Sequence, residues 1–233
     1  MTHKSEIISY LGLAVIAVAL TLGIEFAFHL TTKYAIGVGL GVFLMLWICR
    51  TVYQLALVKI VREAAEQGNP EAQLRLCYFY YEASGVKRDK VEAVKWLRRS
   101  AEQGCAKAED LLGHFYASGA VVKQDFAEAI KWYRKSAERG VVSAQTFLGV
   151  CYLAGKGIER DSHEAARWLR KAANRGDSMA QHCLGDCYND GTGVERDMDE
   201  AIRWYRKAAE QGNANANEAL RQMGLDARKP SRS

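Results

Sequence analysis

The stretch Ser178–Asn213, which reads SMAQHCLGDCYNDGTGVERDMDEAIRWYRKAAEQGN, decides the fold because the chain repeats it. A shift of 36 residues brings the same pattern back in each of three preceding segments, with no insertion or deletion. The four repeats are therefore 70–105, 106–141, 142–177 and 178–213. A fixed period of this length predicts a solenoid, in which each repeat buries its apolar surface against the next.

The first half of each repeat has the pattern of an amphipathic helix. In the last repeat, Ala180, Leu184 and Tyr188 follow one another at intervals of four and share one face of a helix over about 179–189. The G-x-G segment at 191–193 then breaks that helix.

The second half of each repeat carries its own start and stop signals. Asp197 is the predicted N-cap of a second helix, and Glu200 is expected to complete a capping box. Gly212 is expected to end this helix in the left-handed conformation. Asn69 and Pro70 supply an N-cap and a first-turn proline for the first repeat. Each repeat is therefore predicted to be a helix-turn-helix hairpin.

The repeated pattern resembles the Sel1-like repeat family, a relative of the tetratricopeptide repeats. The motif is A-x-x-x-L-G-x-x-Y, then G-x-G-V-x-x-D, then A-x-x-W-Y-x-K-A-A-E-x-G. The last repeat carries it at Ala180, Leu184, Gly185, Tyr188, Gly191, Gly193, Val194, Asp197, Ala201, Trp204, Tyr205, Lys207, Ala208, Ala209, Glu210 and Gly212. The resemblance covers roughly residues 61–225. It implies an all-α, right-handed α-solenoid that binds proteins, and it does not by itself imply an enzyme.

The first 50 residues differ from the rest, because they contain two apolar runs. The runs predict a transmembrane hairpin with helices at about 7–28 and 34–54. A cleaved signal peptide and a single span are the alternatives. No glycine or proline lies between Gly41 and Gly68, so the second membrane helix is expected to continue into a connecting and N-capping helix over 51–69. A C-terminal capping helix is expected over 214–225, followed by a disordered tail over 226–233.

The basic residues near the apolar runs predict an orientation. Lys4 precedes the hairpin and Arg50, Lys59 and Arg62 follow it, whereas the turn contains only Lys33. The positive-inside rule therefore places both ends of the hairpin, and the repeats, in the cytoplasm of a bacterium at its inner membrane. A periplasmic location of the repeats is the second hypothesis.

No catalytic, cofactor-binding or metal-binding site is predicted. The G-x-G segments enter short loops between helices, which is not the context of a phosphate-binding loop. Cys183 and Cys187 are assigned to the buried helix face and His182 and Asp186 to the opposite face, so these four residues are not expected to bind one metal ion.

The face of each first helix that points away from the predicted core is the candidate protein-binding site. The resemblance places this face, here called the inner face, on the concave side of the solenoid. Its residues vary between repeats although the core residues recur, so specificity is expected to lie there. The candidate residues are Leu74, Tyr78, Tyr81, Asp110, His114, Thr146, Val150, Leu153, His182, Asp186 and Asn189.

The second helices carry a basic ladder that includes Arg98, Arg134, Arg170 and Arg206. Glutamates four residues after three of these arginines are expected to neutralise it in part, and no aromatic side chains are interleaved for base stacking. Nucleic acid is therefore not an expected partner, and the net charge of +5 is too small to indicate one.

The predicted function is a membrane-anchored scaffold or adaptor that binds a protein through the inner face without catalysis. Two alternatives remain at this point. One is a periplasmic or secreted repeat protein with an envelope, virulence or hydrolase role. The other is an inhibitor or immunity partner of a toxin.

Overall fold

A computed structural model describes residues 35–225, with side chains from residue 43 onward. Over these residues the regular secondary structure is all α-helix. The helices are α1 Ala35–Glu66, α2 Pro70–Glu82, α3 Lys90–Glu102, α4 Ala106–Ser118, α5 Phe126–Glu138, α6 Val142–Ala154, α7 Ser162–Asn174, α8 Ser178–Asp190, α9 Met198–Glu210 and α10 Ala214–Gln222. The predicted all-α repeat fold is confirmed. The first predicted membrane helix, about 7–28, and the tail 226–233 lie outside the described residues.

Helices α2 to α9 form the four hairpins, numbered here as repeats 1 to 4. The first helices of the repeats are α2, α4, α6 and α8, and the second helices are α3, α5, α7 and α9. Helix α10 follows the last hairpin and packs on it through the buried residues Ala216 and Leu220.

Helix α1 is the one helix within residues 35–225 that is long and apolar enough to cross a membrane, over Phe43–Glu66. This statement rests on length and composition. Its large apolar side chains are mostly exposed, and they include Phe43, Trp47, Tyr53, Leu55 and Ile60. An apolar helix of this kind needs a cover of lipid or protein.

The aspartate N-caps form as predicted in all four second helices. The side chains of Asp89, Asp125, Asp161 and Asp197 each accept a hydrogen bond from the backbone N–H three residues later, at 2.9 to 3.0 Å. Each N-cap satisfies a donor that the first turn of a helix would otherwise leave unpaired.

The other half of the predicted capping box is wrong. The backbone N–H of Asp197 donates to the carbonyl of Tyr188 at 2.9 Å, so it does not need the Glu200 side chain. Glu200 instead pairs with Arg203, one turn further along α9, at 2.6 Å. Repeats 1 to 3 use the same arrangement. The two helices of a hairpin are therefore linked by a backbone hydrogen bond at the turn.

The second glycine of the G-x-G segment permits a close approach between repeats. Gly193 has a φ of +71°, and a Cβ added there would lie 1.9 Å from the carbonyl oxygen of Ser162 in the preceding repeat. Gly157 approaches Phe126 in the same way, at 2.4 Å. Repeat 2 has Val121 at the equivalent position. Repeats 3 and 4 thus rest directly on the start of the preceding second helix.

A glycine in the first helix sets the contact between the two helices of a hairpin. A Cβ at Gly113 would lie 2.8 Å from the ring of Tyr133, and one at Gly185 would lie 2.7 Å from the ring of Tyr205. Gly149 approaches Leu169 instead. The glycine of the first helix therefore packs against a tyrosine of the second helix in repeats 2 and 4, and against a leucine in repeat 3.

Candidate protein-binding surface

The inner face consists of three rows of side chains, one row for each of its helical positions. We call Leu74, Asp110, Thr146 and His182 the seam row. We call Tyr78, His114, Val150 and Asp186 the open row. We call Tyr81, Ala117, Leu153 and Asn189 the end row.

The seam row is less accessible than the sequence predicts. Leu74 is only 8% exposed and Thr146 only 2%, and Asp110 and His182 are half-buried. The predicted accessibility of Leu74 and Thr146 is therefore wrong, because both side chains are buried and neither is offered to a partner.

The seam row is covered because consecutive first helices meet there. The Ser143 hydroxyl, in α6, donates to Oδ2 of Asp110, in α4, at 2.7 Å. The Thr146 hydroxyl donates to Oδ1 of Asp177, the N-cap of α8, at 3.1 Å. Helical periodicity within one repeat does not reveal contacts with the next repeat, which explains the error.

The open row lies one turn beyond the seam row and is the accessible part of the inner face. Tyr78 is 42% exposed, His114 is exposed, and 45% of the Asp186 side-chain surface is accessible. Val150 is half-buried and packs against the core between repeats 3 and 4. The open row therefore offers an aromatic, an imidazole and a carboxylate to solvent.

The end row is half-buried. The ring of Tyr81 stacks on Phe115 of the next repeat, with centroids 5.5 Å apart, and Leu153 packs against the core between repeats 3 and 4. Asn189 is also half-buried, and it borders a cleft beside α10.

Repeat 4 has a connected polar cluster on its inner face. The Tyr205 hydroxyl donates to Oδ1 of Asp186 at 2.7 Å. Nδ1 of His182 lies 3.6 Å from Oδ2 of the same carboxylate. Burial raises the pKa of Asp186, and the tyrosine hydrogen bond and the histidine oppose that rise in part. Burial and the neighbouring carboxylate also raise the pKa of Tyr205, so its hydroxyl remains a donor.

Repeat 2 has the same residue types in the opposite order. Asp110 lies in the seam row and His114 in the open row. Tyr133 is only 1% exposed, and its hydroxyl and Oδ1 of Asp110 have no hydrogen-bond partner within the described residues. Burial raises the pKa of Asp110, with the Ser143 hydrogen bond opposing the rise. Repeat 2 therefore keeps its carboxylate in the seam and shows the histidine to solvent.

The hydroxyls of Tyr133 and Tyr205 are absent from the groups that the sequence predicts for the inner face. The signal was present in the alternation of Leu97, Tyr133, Leu169 and Tyr205 after the four tryptophans. A tyrosine in a leucine position brings a hydroxyl that needs a partner when it is buried.

The sequence-based placement of Cys183 opposite His182 and Asp186 is wrong. Their possible ligand atoms lie within 4.8 Å of one another, because Cys183 sits at the edge of the buried face. Cys187, by contrast, is buried in the core. Burial raises the pKa of the Cys183 thiol to about 12, which favours the neutral thiol over the thiolate that binds metals.

The basic ladder on the second helices is used for packing between repeats. Arg134 donates to the Tyr152 hydroxyl at 3.1 Å, and Arg170 to the Tyr188 hydroxyl at 2.9 Å, each 18 residues further along the chain. Arg98 makes the equivalent contact with Tyr116. The ladder also includes Lys95, Lys131, Arg167 and Arg203. Each of these pairs with a glutamate three residues earlier, in the first turn of its helix, and not with the glutamates predicted to neutralise the ladder.

The lysines of the ladder lie over the buried tryptophans. The Nζ atoms of Lys135, Lys171 and Lys207 are 4.4, 4.2 and 4.1 Å from the ring centroids of Trp132, Trp168 and Trp204. These cation–π contacts account for the recurrence of a basic residue at this position without a nucleic-acid or lipid ligand.

The family model described as Sel1 repeat matches residues 70–105, 106–141, 142–177 and 178–213. These are the four repeats identified above from the period of the sequence. No curated protein matches the chain.

Two solved structures are similar at the level of sequence as well as fold. One is a protective antigen present in uropathogenic Escherichia coli strains, which displays an SLR fold. It is 42% identical with a TM-score of 0.68, and the match covers 72% of this chain and 37% of that one. The other is a Sel1 repeat protein from Oxalobacter formigenes, 36% identical with a TM-score of 0.66 over 73% of this chain and 50% of that one. The chain thus spans half or less of the length of these two structures.

An immunity protein from Pseudomonas aeruginosa is a more distant match. It is 23% identical with a TM-score of 0.43, over 69% of this chain and 60% of that one. This similarity is too low to indicate a shared function.

Proposed function

The chain belongs to the Sel1 repeat family, and we propose that it is a membrane-anchored scaffold or adaptor that binds a protein partner through the open row without catalysing a reaction. One observation carries this proposal. The open row changes from Tyr78 to His114, Val150 and Asp186, whereas the buried positions recur from repeat to repeat. Packing within the solenoid requires the recurrence and does not require the variation.

The chemistry of the open row supports a protein ligand. Tyr78 and the neighbouring ring of Tyr81 offer apolar surface at one end. His114 and Asp186 offer hydrogen-bonding groups further along. A mixture of aromatic and polar groups along a groove is typical of surfaces that bind an extended or helical segment of another protein.

Photo-crosslinking tests this surface while the partner is still unidentified. A photoreactive amino acid replaces Tyr78 or His114 in the full-length protein, and matched controls place it at the exposed second-helix positions Lys95 or Lys131. We expect one discrete protein adduct from the open-row positions and none from the controls. Equal adducts from both sets of positions, or adducts from the controls alone, would contradict the proposal.

The membrane anchor is supported by the exposed apolar side chains of α1. Phe43, Trp47 and Leu55 are all more than half exposed on a helix that is long enough to cross a bilayer. Arg50, Lys59 and Arg62 lie in the second half of α1, after the apolar run 34–49, so the positive-inside rule favours the cytoplasmic side of a bacterial inner membrane for the repeats.

Fusion of a compartment-sensitive reporter after Ser233 tests the orientation. We expect reporter activity typical of the cytoplasm and recovery of the full-length chain with the membrane fraction. Activity typical of the periplasm would reverse the orientation, and a shortened chain in the soluble fraction would indicate a cleaved signal peptide in place of an anchor.

A further inference from the structure

A cleft of about 480 Å³ lies at the C-terminal end of the inner face, between α8 and α10. Asp186 and Asn189 line one wall, and Asn215, Glu218 and Met223 line the other. With Gln222 included, the cleft combines two carboxylates and three amides with apolar surface.

A hydrogen bond from a buried side chain holds the carboxylate of Asp186 in place. Oδ1 accepts the hydrogen bond of the buried Tyr205 hydroxyl at 2.7 Å, and 45% of the side-chain surface remains accessible. The tyrosine thus fixes the orientation of the carboxylate while leaving part of it open to the cleft.

Asp186 has no strongly basic partner among residues 43–225. The titratable groups that face it are His182 and Asp190, and its polar contact on α9 is the Tyr205 hydroxyl. Asp186 is partly removed from water, and the Tyr205 hydroxyl and His182 replace only part of the hydration it loses, so burial raises its pKa. A cation supplied from outside would recover that lost interaction.

The opposite wall fits the rest of a basic side chain. Met223 offers apolar surface for the methylene groups of a lysine or arginine. Glu218 is a second carboxylate there, paired along its own helix with Arg221 at 2.9 Å and 54% accessible. The amide oxygens of Asn189 and Asn215 are further acceptors for the donors of a guanidinium or ammonium group.

We propose that this cleft binds a lysine or arginine side chain of the protein partner, with Asp186 as the main contact and Glu218 as the second. The inference rests on the proposed function, since it names the chemistry of the segment that the inner face binds. Repeat 2 lacks the equivalent site, because its open row carries His114 and its carboxylate, Asp110, is held in the seam by Ser143.

Fluorescein-labelled nona-arginine is a suitable probe, with nona-citrulline as an uncharged peptide of nearly the same shape. The full-length protein is placed in nanodiscs of zwitterionic lipid, so that the membrane does not attract the peptide. Affinity is measured by fluorescence anisotropy for the native protein, Asp186→Asn, Glu218→Gln and the control Asp199→Asn. Asp199 is an exposed acid in the first turn of α9 and does not line the cleft.

We expect nona-arginine to bind and nona-citrulline to bind at least tenfold more weakly. Asp186→Asn is expected to weaken nona-arginine binding roughly tenfold and Glu218→Gln roughly threefold, with Asp199→Asn within twofold of the native protein. Asparagine at 186 keeps an oxygen that accepts from Tyr205, and Glu218→Gln changes an exposed side chain, so loss of the fold does not explain both effects.

Equal losses in Asp186→Asn and Asp199→Asn would overturn the proposal, because they would indicate a general charge effect. Stoichiometric zinc binding that requires Cys183 and blocks nona-arginine would also overturn it, by making the cluster a metal site. Adducts at His114 with no effect of Asp186→Asn on peptide affinity would remove this inference and leave the proposed function standing. A specific effect of Asp186→Asn on peptide affinity without any adduct at His114 would support the cleft as a site for basic side chains. It would remove the open row as the surface that binds the partner.

Discussion

Repeats 2 and 4 carry an aspartate and a histidine on the same two inner-face positions, but in opposite order. Repeat 4 places the aspartate in the open row, where Asp186 accepts from Tyr205 at 2.7 Å. Repeat 2 places it in the seam, where Asp110 accepts from Ser143 at 2.7 Å and the Tyr133 hydroxyl is left without a partner among the described residues. Exchange of two residues within one helical turn therefore decides whether a repeat shows a carboxylate to solvent or uses it to join its neighbour.

Repeats with the same backbone conformation therefore present different side chains to solvent. The buried tryptophans hold both hairpins in the same conformation, so that side chains four residues apart can be exchanged without a change of fold.

The largest effect is expected at the tryptophans that the repeats share. Trp132→Ala and Trp204→Ala each remove a buried aromatic side chain, so each should lower the free energy of unfolding by about 3–5 kcal/mol. Urea unfolding followed by circular dichroism measures both. Intact stability in either variant would show that the common core does not hold that repeat together.

A smaller loss is expected where repeat 4 rests on repeat 3. Gly193→Ala introduces a left-handed alanine and a Cβ 1.9 Å from the Ser162 carbonyl, so it should cost about 2–4 kcal/mol. The control Val121→Ala, at the equivalent position of repeat 2, should cost less than about 1 kcal/mol. Thermal unfolding measures the loss of stability in the two variants. Equal losses would show that the close approach of Gly193 to Ser162 is not required for stability.

The two tyrosines should respond differently to loss of the hydroxyl. Tyr205→Phe removes a hydrogen bond to a carboxylate and should cost about 1.5–3 kcal/mol. Tyr133→Phe removes a hydroxyl that has no partner within residues 43–225, and it should be neutral or stabilise by up to about 1 kcal/mol. Urea unfolding of both variants measures the two changes in the free energy of unfolding. Equal losses would contradict the conclusion that only the Tyr205 hydroxyl has a hydrogen-bond partner.

The smallest effect concerns a buried glutamate that is specific to repeat 2. In repeats 3 and 4, Gln145 and Gln181 donate to a backbone carbonyl at 3.0 and 3.2 Å, whereas repeat 2 has Glu109, which is 3.3 Å from Arg139. Burial raises the pKa of Glu109, with Arg139 opposing the rise. We therefore expect Glu109→Gln to stabilise the protein by about 1 kcal/mol at pH 7.

The pH dependence of that gain has a defined sign. A raised pKa in the folded state means that folding favours the protonated carboxyl, so the native protein loses stability as the pH rises through the folded-state pKa. The advantage of Glu109→Gln should then shrink as the pH is lowered from 7 toward 4. An advantage that grows on acidification would contradict the assignment of burial as the dominant influence.

The sequence predicts the hairpins well because their signals are local. Each aspartate N-cap and each left-handed glycine acts within a few residues of its own helix end, so one repeat contains the information. Gly212, for example, has the expected positive φ of +83°, shortly after the end of α9.

The inner face is predicted less well because it depends on contacts between repeats. Thr146 is on the expected side of α6, but the N-cap Asp177 of the next repeat covers it. The ring of Tyr205 is buried in the core, but its hydroxyl reaches Asp186 on the inner face past Gly185. Spacing within a single helix contains neither of these contacts.

Cysteine labelling of the inner face tests the division into rows most directly. One cysteine at a time replaces Leu74, His114, Thr146 or Asp186 in a full-length protein that has serine at positions 49, 105 and 183. These three native cysteines are exposed or half-buried, whereas the three that remain are buried. The rate of reaction with a maleimide is then measured under native conditions. The account predicts that positions 114 and 186 react at least tenfold faster than 74 and 146, and that bound nona-arginine slows position 114 less than position 189 in an added Asn189→Cys variant. Equal rates in the two rows would contradict this account, because the open row would then be no more accessible to a partner than the seam row.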